Sequence, residues 1–530
     1  MYAIEIVETQ RLRASCEERL TSLSIPDAAV GHHPVTGLTM IYPKPSSTQP
    51  SPASLQNHMR ESLSLTISAY PHWCGHLKRV ESLDGSVPPG ADHFQPHAKR
   101  YNRLYTHFGT ADDPGVEFQW AKSSVTFESL YPARRTEKLP LWERTHSKIE
   151  SFTSQTSLAS PWKPGLKTEE GLLLPLLAIR VTQLACGGLV CSATAVHAMA
   201  DIGTLLALLK DWASVSQACL RGEATPLSVR TYDSQDIDCK AAGDINTCDP
   251  DLAVLQHAKS LPRHRYDVWA SSAGCGWDIT IPPSVDTEKL EPVGEMVPWE
   301  ELDCSIPLST YTIHFSKDQI DTLYARARNP TSGNIRLSQH DVLLAHIWSR
   351  IATARGQADN EETIYCDVVF NLRAPLGLTT ILGCPFAMMY IGLPAKLVAT
   401  HDQLATIAES IRKTVTCVKD PESIAANLHS VAYDSSPQRV AEYFVGRRHC
   451  VVTTWARFGI YDVDFGLGTS CAYVEPIIPY CDGLLVIKEA PSEEISQERM
   501  SHWTAHGVDV TVSLLPHDMK GLLLDPQLLP

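Results

Sequence analysis

The chain of 530 residues lacks the long apolar segments of a membrane protein. Its longest apolar stretches, such as Gly171–Ile179 with its internal Pro175, are too short to cross a bilayer, and no lipidation motif is visible. The first eight residues hold no apolar secretory core. Cationic residues are also scarce, with 45 Lys and Arg against 60 Asp and Glu, a net charge of -15. We therefore expect a cytoplasmic protein that binds neither nucleic acid nor a membrane.

Paired cysteine motifs are absent as well. The 15 cysteines are odd in number and include no CxxC pair and no zinc-finger spacing. Reduced thiols are the expectation, with no disulfide framework and no metal ligands among the site residues. Only 7% of the residues are aromatic, but 43% are hydrophobic and 20% charged, which is an ordinary globular composition and excludes a disordered or fibrous protein.

Length and patterning predict two lobes joined by a long crossover. A chain of this size exceeds what one hydrophobic core usually serves. Residues 1–215 and 306–530 both mix helical and strand periodicity, whereas residues 216–305 alternate prolines, acidic residues and short apolar runs. The mixture in both halves predicts an α/β or α+β protein.

His197 is the most informative single residue. The stretch Leu189–Val196 before it is almost entirely apolar and predicts a buried strand, and a helical pattern begins a few residues after it. A histidine held at the end of a buried strand suits general-base chemistry, because its ordinary pKa is close to neutral. Asp201, four residues on, is expected to be buried and to need a cationic partner.

A second pair with the same spacing serves as a control. His314 and Asp318 also fit HxxxD, and about one such pair is expected by chance in this chain. Ser316 between them is a good N-cap, so Asp318 is explained as a first-turn residue of the following helix. We interpret His314 as structural or solvated, and the setting of His197, rather than its spacing, carries the information.

The segment Asp464-Phe465-Gly466-Leu467-Gly468 is the second signal. Its two glycines predict a tight turn with positive φ or close backbone packing. A kinase interpretation of Asp-Phe-Gly is excluded because no glycine-rich nucleotide loop and no His-Arg-Asp catalytic loop accompany it.

Together the two motifs resemble those of the BAHD acyltransferases, most closely the fungal members that acylate secondary metabolites. The resemblance covers most of the chain and extends to these segments: Ser64–Leu77, Pro175–Gln183 with Cys186–Gly188, Leu343–Trp348, Asn371–Arg373 and Trp455–Gly468. Two departures stand out. Leu467 replaces the family's tryptophan, and Ile202 separates Asp201 from the glycine that usually follows it, which falls at Gly203.

The resemblance implies two chloramphenicol-acetyltransferase-like lobes, with mixed sheets flanked by helices and an active-site tunnel between them. His197 would be the general base of an acyl transfer from acyl-CoA, with acetyl-CoA as the expected donor, to a small-molecule alcohol. No cofactor would be bound permanently, and the enzyme would act as a monomer. Asp201 would orient the site by pairing with Arg373, while Asp464, Gly466 and Gly468 would hold the second lobe and the coenzyme channel.

Two points stay open at this stage. Val451–Trp455 predicts a strand that either faces the core or lines the channel with Thr454 and Trp455. The activity has two alternatives: N-acyl transfer of the condensation type, or small-molecule binding without catalysis. Condensation catalysts usually carry two adjacent histidines, whereas Val196 precedes His197 here. A binder, in turn, has no need to keep His197 and Asp201.

Overall fold

The computed structural model describes most of the chain. The described residues are 2–30, 35–45, 52–82, 85–161, 163, 165–227, 229–230, 232–270, 281, 285–286, 291–328, 335–492 and 502–530. Parts of the predicted crossover 216–305, chiefly 271–280 and 287–290, lie outside them.

Strands run through both halves of the chain. In the first half they are β1 (Ile4–Leu12), β2 (Arg19–Ser22), β3 (Val35–Tyr42), β4 (His76–Arg79), β5 (Leu104–Phe108), β6 (Val116–Ser123), β7 (Leu141–Glu143), β8 (Leu177–Leu184) and β9 (Leu189–Val196). In the second half they are β10 (Tyr266–Asp267), β11 (Glu295–Met296), β12 (Ser309–Phe315), β13 (Thr363–Asn371), β14 (Phe386–Pro394), β15 (Val440–Ala441), β16 (His449–Thr454), β17 (Tyr473–Ile477), β18 (Leu484–Glu489) and β19 (Val508–Leu514).

Helices alternate with these strands. The first eight are α1 (Ile25–Ala29), α2 (Pro52–Ser68), α3 (Phe127–Leu130), α4 (Arg135–Lys138), α5 (Arg144–Ser147), α6 (Ile202–Arg221), α7 (Gln235–Asp238) and α8 (Leu252–Ser260). The others are α9 (Lys317–Ala327), α10 (Gln339–Ala354), α11 (Arg373–Leu376), α12 (Ala395–Ala399), α13 (Leu404–Lys419), α14 (Pro421–Ala432) and α15 (Pro516–Leu524). Among the described residues, none of the helices is long and apolar enough to cross a membrane.

The first lobe is built on a six-stranded sheet in the order β1-β6-β8-β9-β3-β17. β9 is fully buried, as its apolar sequence predicts, because it lies inside this sheet between β8 and β3. The long helices α2 and α6 pack against each other and contribute Met59, Leu63, Leu205 and Trp212 to one core cluster with the sheet. At the end of β9, Val196 is paired with Val35 of β3, and Ala195 is paired with Leu177 of β8.

The second lobe is built on a seven-stranded sheet in the order β14-β13-β16-β18-β19-β12-β7. Its β13, β16 and β18 run parallel, while the outer strands are antiparallel. Helices α9, α10 and α13 pack together and share a core cluster with this sheet. The predicted mixed sheets flanked by helices are confirmed.

Each large sheet takes one strand from the other half of the sequence. β7, at residues 141–143, is the edge strand of the second sheet beside β12. β17, at residues 473–477, is the edge strand of the first sheet beside β3. The chain therefore ties the two lobes together twice, and a division at 215 and 305 stays a prediction.

Candidate active site

A cavity of about 830 Å³ lies between the two sheets. The first lobe lines it with Val35, Thr36, His197, Asp201 and Ile202, and the second lobe with Val369, Arg373, Phe386, Thr454 and Trp455, among others. A volume of this size falls in the range of small-molecule sites. Residues predicted from distant parts of the sequence are therefore brought to one interior space.

His197 enters this cavity directly from the end of β9. Residues His197–Met199 form a single 3₁₀ turn, closed by the backbone N–H of Ala200, which donates to the carbonyl of His197 at 3.2 Å. Ala200 then forms an isolated β-bridge with Gly383 of the second lobe. The imidazole is half-buried and lies 6.0 Å from the ring of Phe386 between centroids. Strand, turn and bridge hold the histidine at the junction of the lobes.

The pKa of His197 is lowered from its ordinary value. Burial is the largest cause, since it disfavours the imidazolium, and it outweighs the backbone carbonyls of the turn and the charge of Asp201, which raise the pKa. The neutral ring therefore predominates at neutral pH. A neutral imidazole that faces a cavity can accept a proton.

Cys384 is a polar neighbour of His197 that the sequence did not predict. Its Sγ lies 3.2 Å from Nδ1 of His197, across 187 residues of chain. Burial raises the pKa of this thiol well above its usual range, and the nearby Asp201 and Asp27 carboxylates add to the effect. Cys384 is thus a neutral thiol near neutral pH rather than a nucleophile. The sequence around it contains no motif that would predict its contact with His197.

Asp27 anchors the loop that carries Cys384. Its buried carboxylate accepts a short hydrogen bond from the backbone N–H of Cys384 and others from the hydroxyls of Ser24, at 2.6 Å, and Tyr232. Burial raises the pKa of Asp27 to about 6, although these hydrogen bonds oppose the shift. Gly383 has φ +96°, and a Cβ there would lie 2.8 Å from the Asp27 carboxylate, so the loop needs a glycine to approach this closely.

Asp201 pairs with Arg373, the partner that the family resemblance implies. The guanidinium donates two hydrogen bonds to the carboxylate, one of them from Nη2 to Oδ1 at 2.9 Å. Arg373 also donates to the carbonyls of Ile381 and Gly383 and to the hydroxyl of Thr204. Asp201 is the N-cap of α6 and accepts from the backbone N–H of Thr204 at 2.9 Å. Both of its carboxylate oxygens are therefore occupied by contacts to Arg373 and to the start of α6.

The displaced glycine has a steric role of its own. A Cβ on Gly203 would lie 2.9 Å from the ring of Phe458 and 3.2 Å from Nη1 of Arg373. The first contact is shorter than side chains show, and the second would require Arg373 to shift by a few tenths of an ångström. The inserted Ile202 therefore leaves the Asp201–Arg373 pair intact, because the residue beside the Arg373 guanidinium is still a glycine, Gly203.

The Asp464–Gly468 turn lies at the far end of α6. Oδ1 of Asp464 accepts from the backbone N–H of Gly466 at 2.8 Å, and Gly466 and Gly468 have φ +75° and +76°. The carbonyls of Asp464 and Phe465 accept from Gln217 and Ser216 of α6. This packing differs from our expectation. The turn is held by the first lobe, since Phe465 and Leu467 belong to the first core cluster.

Thr454 and Trp455 both border the cavity, in different ways. The hydroxyl of Thr454 lies 2.8 Å from Nε2 of His340, at the start of α10. Burial lowers the pKa of His340 to about 4, so this imidazole is neutral. Trp455 is only 2% exposed and belongs to the first core cluster. Thr454 is therefore the polar residue of the pair, and Trp455 is mainly a packing residue.

The second HxxxD pair is structural. Nδ1 of His314 lies 2.9 Å from Oδ1 of Asp509, a buried carboxylate that also contacts Arg135 and Lys488. Ser316 caps α9 with a full capping box, and Asp318 is an exposed first-turn residue. His314 is buried rather than solvated, because β12 lies inside the second sheet.

Comparison with known proteins agrees with this geometry. A family model described as the Transferase family matches residues 110–247 and 282–528, most of the chain. The protein therefore belongs to this family, that of the BAHD-type acyltransferases.

Individual relatives match over nearly their whole length. "Acyltransferase AFT15-1" of Alternaria alternata is 24% identical over 505 residues, covering 93% of this chain and 90% of the relative. "Acyltransferase abl6" of Leptosphaeria maculans is 22% identical, covering 90% and 88%. The crystal structure of F. sporotrichioides TRI101 with coenzyme A and T-2 superimposes with a TM-score of 0.61 at 15% identity, covering 96% and 98%. The two-lobed fold is confirmed, and the chain is an acyl-transferring enzyme.

Proposed function

We propose that the protein transfers an acyl group, acetyl first among them, from acyl-CoA to a hydroxyl of a small secondary metabolite. The observation that carries the proposal is the neutral, half-buried imidazole of His197, which faces a cavity shared by both lobes. TRI101, which shares the fold, has been crystallised with coenzyme A and T-2 together, and this supports a ternary complex here.

The orientation of His197 assigns its two nitrogens. Nδ1 faces Cys384 inside the protein, which leaves Nε2 for the substrate. Nε2 accepts the hydroxyl proton while the oxygen attacks the thioester carbonyl, and a tetrahedral intermediate forms. The C–S bond then breaks, and the proton passes from His197 to the departing thiolate. The base is neutral again, and no acyl-enzyme is needed. General-base catalysis contributes roughly 10²–10⁴-fold in such reactions.

The remaining site residues position the reactants. The Asp201–Arg373 pair fixes the start of α6 against the 381–384 loop, and so fixes the turn that carries His197. In our proposal the Thr454 hydroxyl, held by His340, is a polar contact for the thioester or the developing oxyanion. Asp464, Gly466 and Gly468 act at a distance by anchoring the segment between Trp455 and β17 onto α6.

We further propose that the enzyme is a cytoplasmic monomer. Both walls of the cavity come from one chain, so a second copy is not needed to complete the site.

The decisive experiment compares the wild-type enzyme with His197→Gln. Acyl-CoAs of different chain length are incubated with panels of hydroxylated and amine-bearing metabolites. Thiol release is followed continuously, and products are identified by mass spectrometry. We expect ester products and CoA release from the wild type, and a loss of about 10²-fold or more in His197→Gln.

A matched control is His314→Gln, which removes the histidine of the second HxxxD pair. This change is expected to lower the free energy of unfolding, because it removes the contact with Asp509. The turnover rate per folded molecule should stay unchanged. If His197→Gln kept near-wild-type turnover, the mechanism would be wrong. Amide products would favour condensation-type transfer, and coenzyme binding without thiol release would favour the binder.

A further inference from the structure

Two histidines and one aspartate cluster on the second sheet, apart from His197. One nitrogen each from His264 and His449 and one carboxylate oxygen of Asp367 all lie within 4.8 Å of one another. The three residues are 8%, 1% and 0% exposed, respectively. Among the described residues this is the one group of three or more such side chains close enough to hold a metal ion together.

Three separate elements supply the three side chains. Asp367 lies on β13, and His449 begins the neighbouring parallel strand β16. His264 comes from the segment between α8 and β10, within the predicted crossover. Side chains two apart on a strand share a face, so Asp367 and His449 lie on the same face as Val369 and Val451, which line the cavity.

The polar atoms of the cluster converge but satisfy one another only in part. Nδ1 of His449 lies 3.0 Å from Oδ2 of Asp367 and makes a hydrogen bond. Nε2 of His264 lies 3.1 Å from Oδ1 of Asp367, but the two atoms are not aligned for one. Both are buried and have no hydrogen-bond partner in the described part of the chain. A buried imidazole nitrogen and a buried carboxylate oxygen are thus left close together, each with a lone pair or proton that the described residues do not satisfy.

The charge of Asp367 also calls for a cation. The arginines beside the two histidines in sequence are engaged elsewhere: Arg263 with Glu442, Arg265 with Asp434 and Arg448 with Glu301. A fully buried carboxylate is costly unless a positive charge compensates it. At Asp367 the described contacts offer only imidazoles.

Two other buried histidine–aspartate pairs, within the described ranges, have further polar partners. Both ring nitrogens of His97 are bonded, one to Asp238 at 3.0 Å and the other to Asn246 at 2.9 Å. Asp509 has Arg135 and Lys488 in addition to its histidine. The cluster at Asp367 differs from both, because it combines a second histidine with unsatisfied donor atoms.

We propose that His264, Asp367 and His449 bind a divalent transition metal, Zn²⁺ by preference. Imidazole nitrogen and carboxylate oxygen are ordinary zinc ligands, and a tetrahedral site with bonds of about 2.0–2.2 Å places donor atoms roughly 3.3–3.5 Å apart. Each imidazole nitrogen now lies 3.0 or 3.1 Å from one of the two Asp367 oxygens, and one ligand atom from each residue lies within 4.8 Å of the others, so small side-chain shifts bring the three to one ion. The ion neutralises Asp367 and leaves the fourth position to a water.

Aromatic rings enclose the site and give it a structural role. Tyr266 and Tyr390 stack on His264 with centroids 5.1 and 4.3 Å away, and Tyr365 stacks on His449 at 5.0 Å. These rings fix the imidazole planes. Because the ligands come from the crossover and from two strands, the ion fastens the crossover to the cavity-bearing sheet.

The test is metal analysis of the full chain purified without a metal-affinity tag. We expect elemental mass spectrometry to find one equivalent of zinc per chain. If the purified protein holds less, treatment with a chelator followed by titration with Zn²⁺ should give the same stoichiometry. Substitution of Co²⁺ should give the visible absorption of a tetrahedral site. Asp367→Asn removes a ligand itself, so zinc affinity should fall by about 100-fold, the upper end of the loss seen when a ligand's partner is removed. Chelation should lower the melting temperature of the wild type but not that of Asp367→Asn.

His97→Gln is the matched control, because it alters a buried histidine–aspartate pair that is already satisfied. It should keep the zinc. Wild-type protein that takes up neither Zn²⁺ nor Co²⁺ would overturn the proposal and leave a hydrogen-bonded triad. Equal zinc binding by the wild type and the Asp367→Asn variant would place the ion elsewhere and overturn it as well.

Discussion

Sγ of Cys384 lies 3.2 Å from Nδ1 of His197, so a thiol from the second lobe contacts the proposed base of the first. The same cysteine is held through its backbone N–H by the buried carboxylate of Asp27. Three residues from separate parts of the sequence thus meet behind the imidazole. This contact fixes which nitrogen is turned away from the cavity, and it leads to the first prediction.

Cys384→Ala should reduce kcat by about 10-fold, the loss expected when one hydrogen-bonding neighbour is removed from a catalytic group. Cys384→Ser should lose less, because a hydroxyl can still contact Nδ1. The measurement is the pH dependence of kcat, whose acid limb should move in the alanine variant. Cys191→Ala removes another buried thiol, from β9, and should leave that limb in place. Identical profiles for the two alanine variants would contradict a positioning role for Cys384.

Activity should persist below the pH at which an ordinary histidine is protonated. Burial lowers the pKa of His197, and the reaction needs the neutral ring, so the rate falls only when the pH drops below this lowered value. The acid limb of kcat/KM is therefore expected below the ordinary histidine pKa of about 6.5. An acid limb at or above that value would show that His197 is not the titrating base.

Breaking the Asp201–Arg373 pair should damage folding as well as rate. Asp201→Ala leaves a mostly buried guanidinium without its carboxylate, which costs about 3–5 kcal/mol in comparable pairs. Asp251→Ala is the control, since Asp251 caps α8 from an exposed position and should cost only about 1 kcal/mol. Urea unfolding of both variants measures the difference. Equal losses would mean that Asp201 contributes as a helix cap alone.

Gly466→Ala should destabilise the protein more than Gly222→Ala. Both glycines have positive φ, +75° and +67°, so both substitutions carry backbone strain of about 1 kcal/mol. A Cβ at Gly466 would also lie 2.8 Å from Cγ of Gln217 and disturb its bond to Asp464, whereas the space at Gly222 is open. Melting temperatures of the two variants test this, and equal shifts would show that the turn tolerates the extra contact.

Stability should fall as the pH drops from 6.5 toward 4. Burial lowers the pKa of His72 to about 4, below its ordinary value, so the unfolded chain takes up a proton in this window while the folded protein does not. The contribution is complete above pH 6.5. His72→Phe should flatten the dependence of the unfolding free energy on pH by up to about 1.4 kcal/mol per unit. An unchanged slope in urea unfolding at several pH values would refute this assignment.

The local elements of the site follow from the sequence. The buried strand β9 has the predicted bounds, because a run of apolar residues of that length is stable only where both of its faces are buried. The capping role of Ser316, which explained Asp318, is present as a full capping box. The positive φ of Gly466 and Gly468 could also be predicted from the sequence, because glycine is the residue that most readily adopts this backbone conformation.

Partners across the lobes were decided only by the tertiary structure. The Asp201–Arg373 pair spans 172 residues and was inferred from family resemblance, while the His197–Cys384 contact spans 187 and carried no signal. The packing of the Asp464–Gly468 turn on α6 and the meeting of His264, Asp367 and His449 are of the same kind. Periodicity and capping determine structure within a few residues, whereas a hydrogen bond between distant segments depends on the tertiary fold of the whole chain. The sequence by itself therefore determined the proposed base and its strand, and the fold decided what surrounds them.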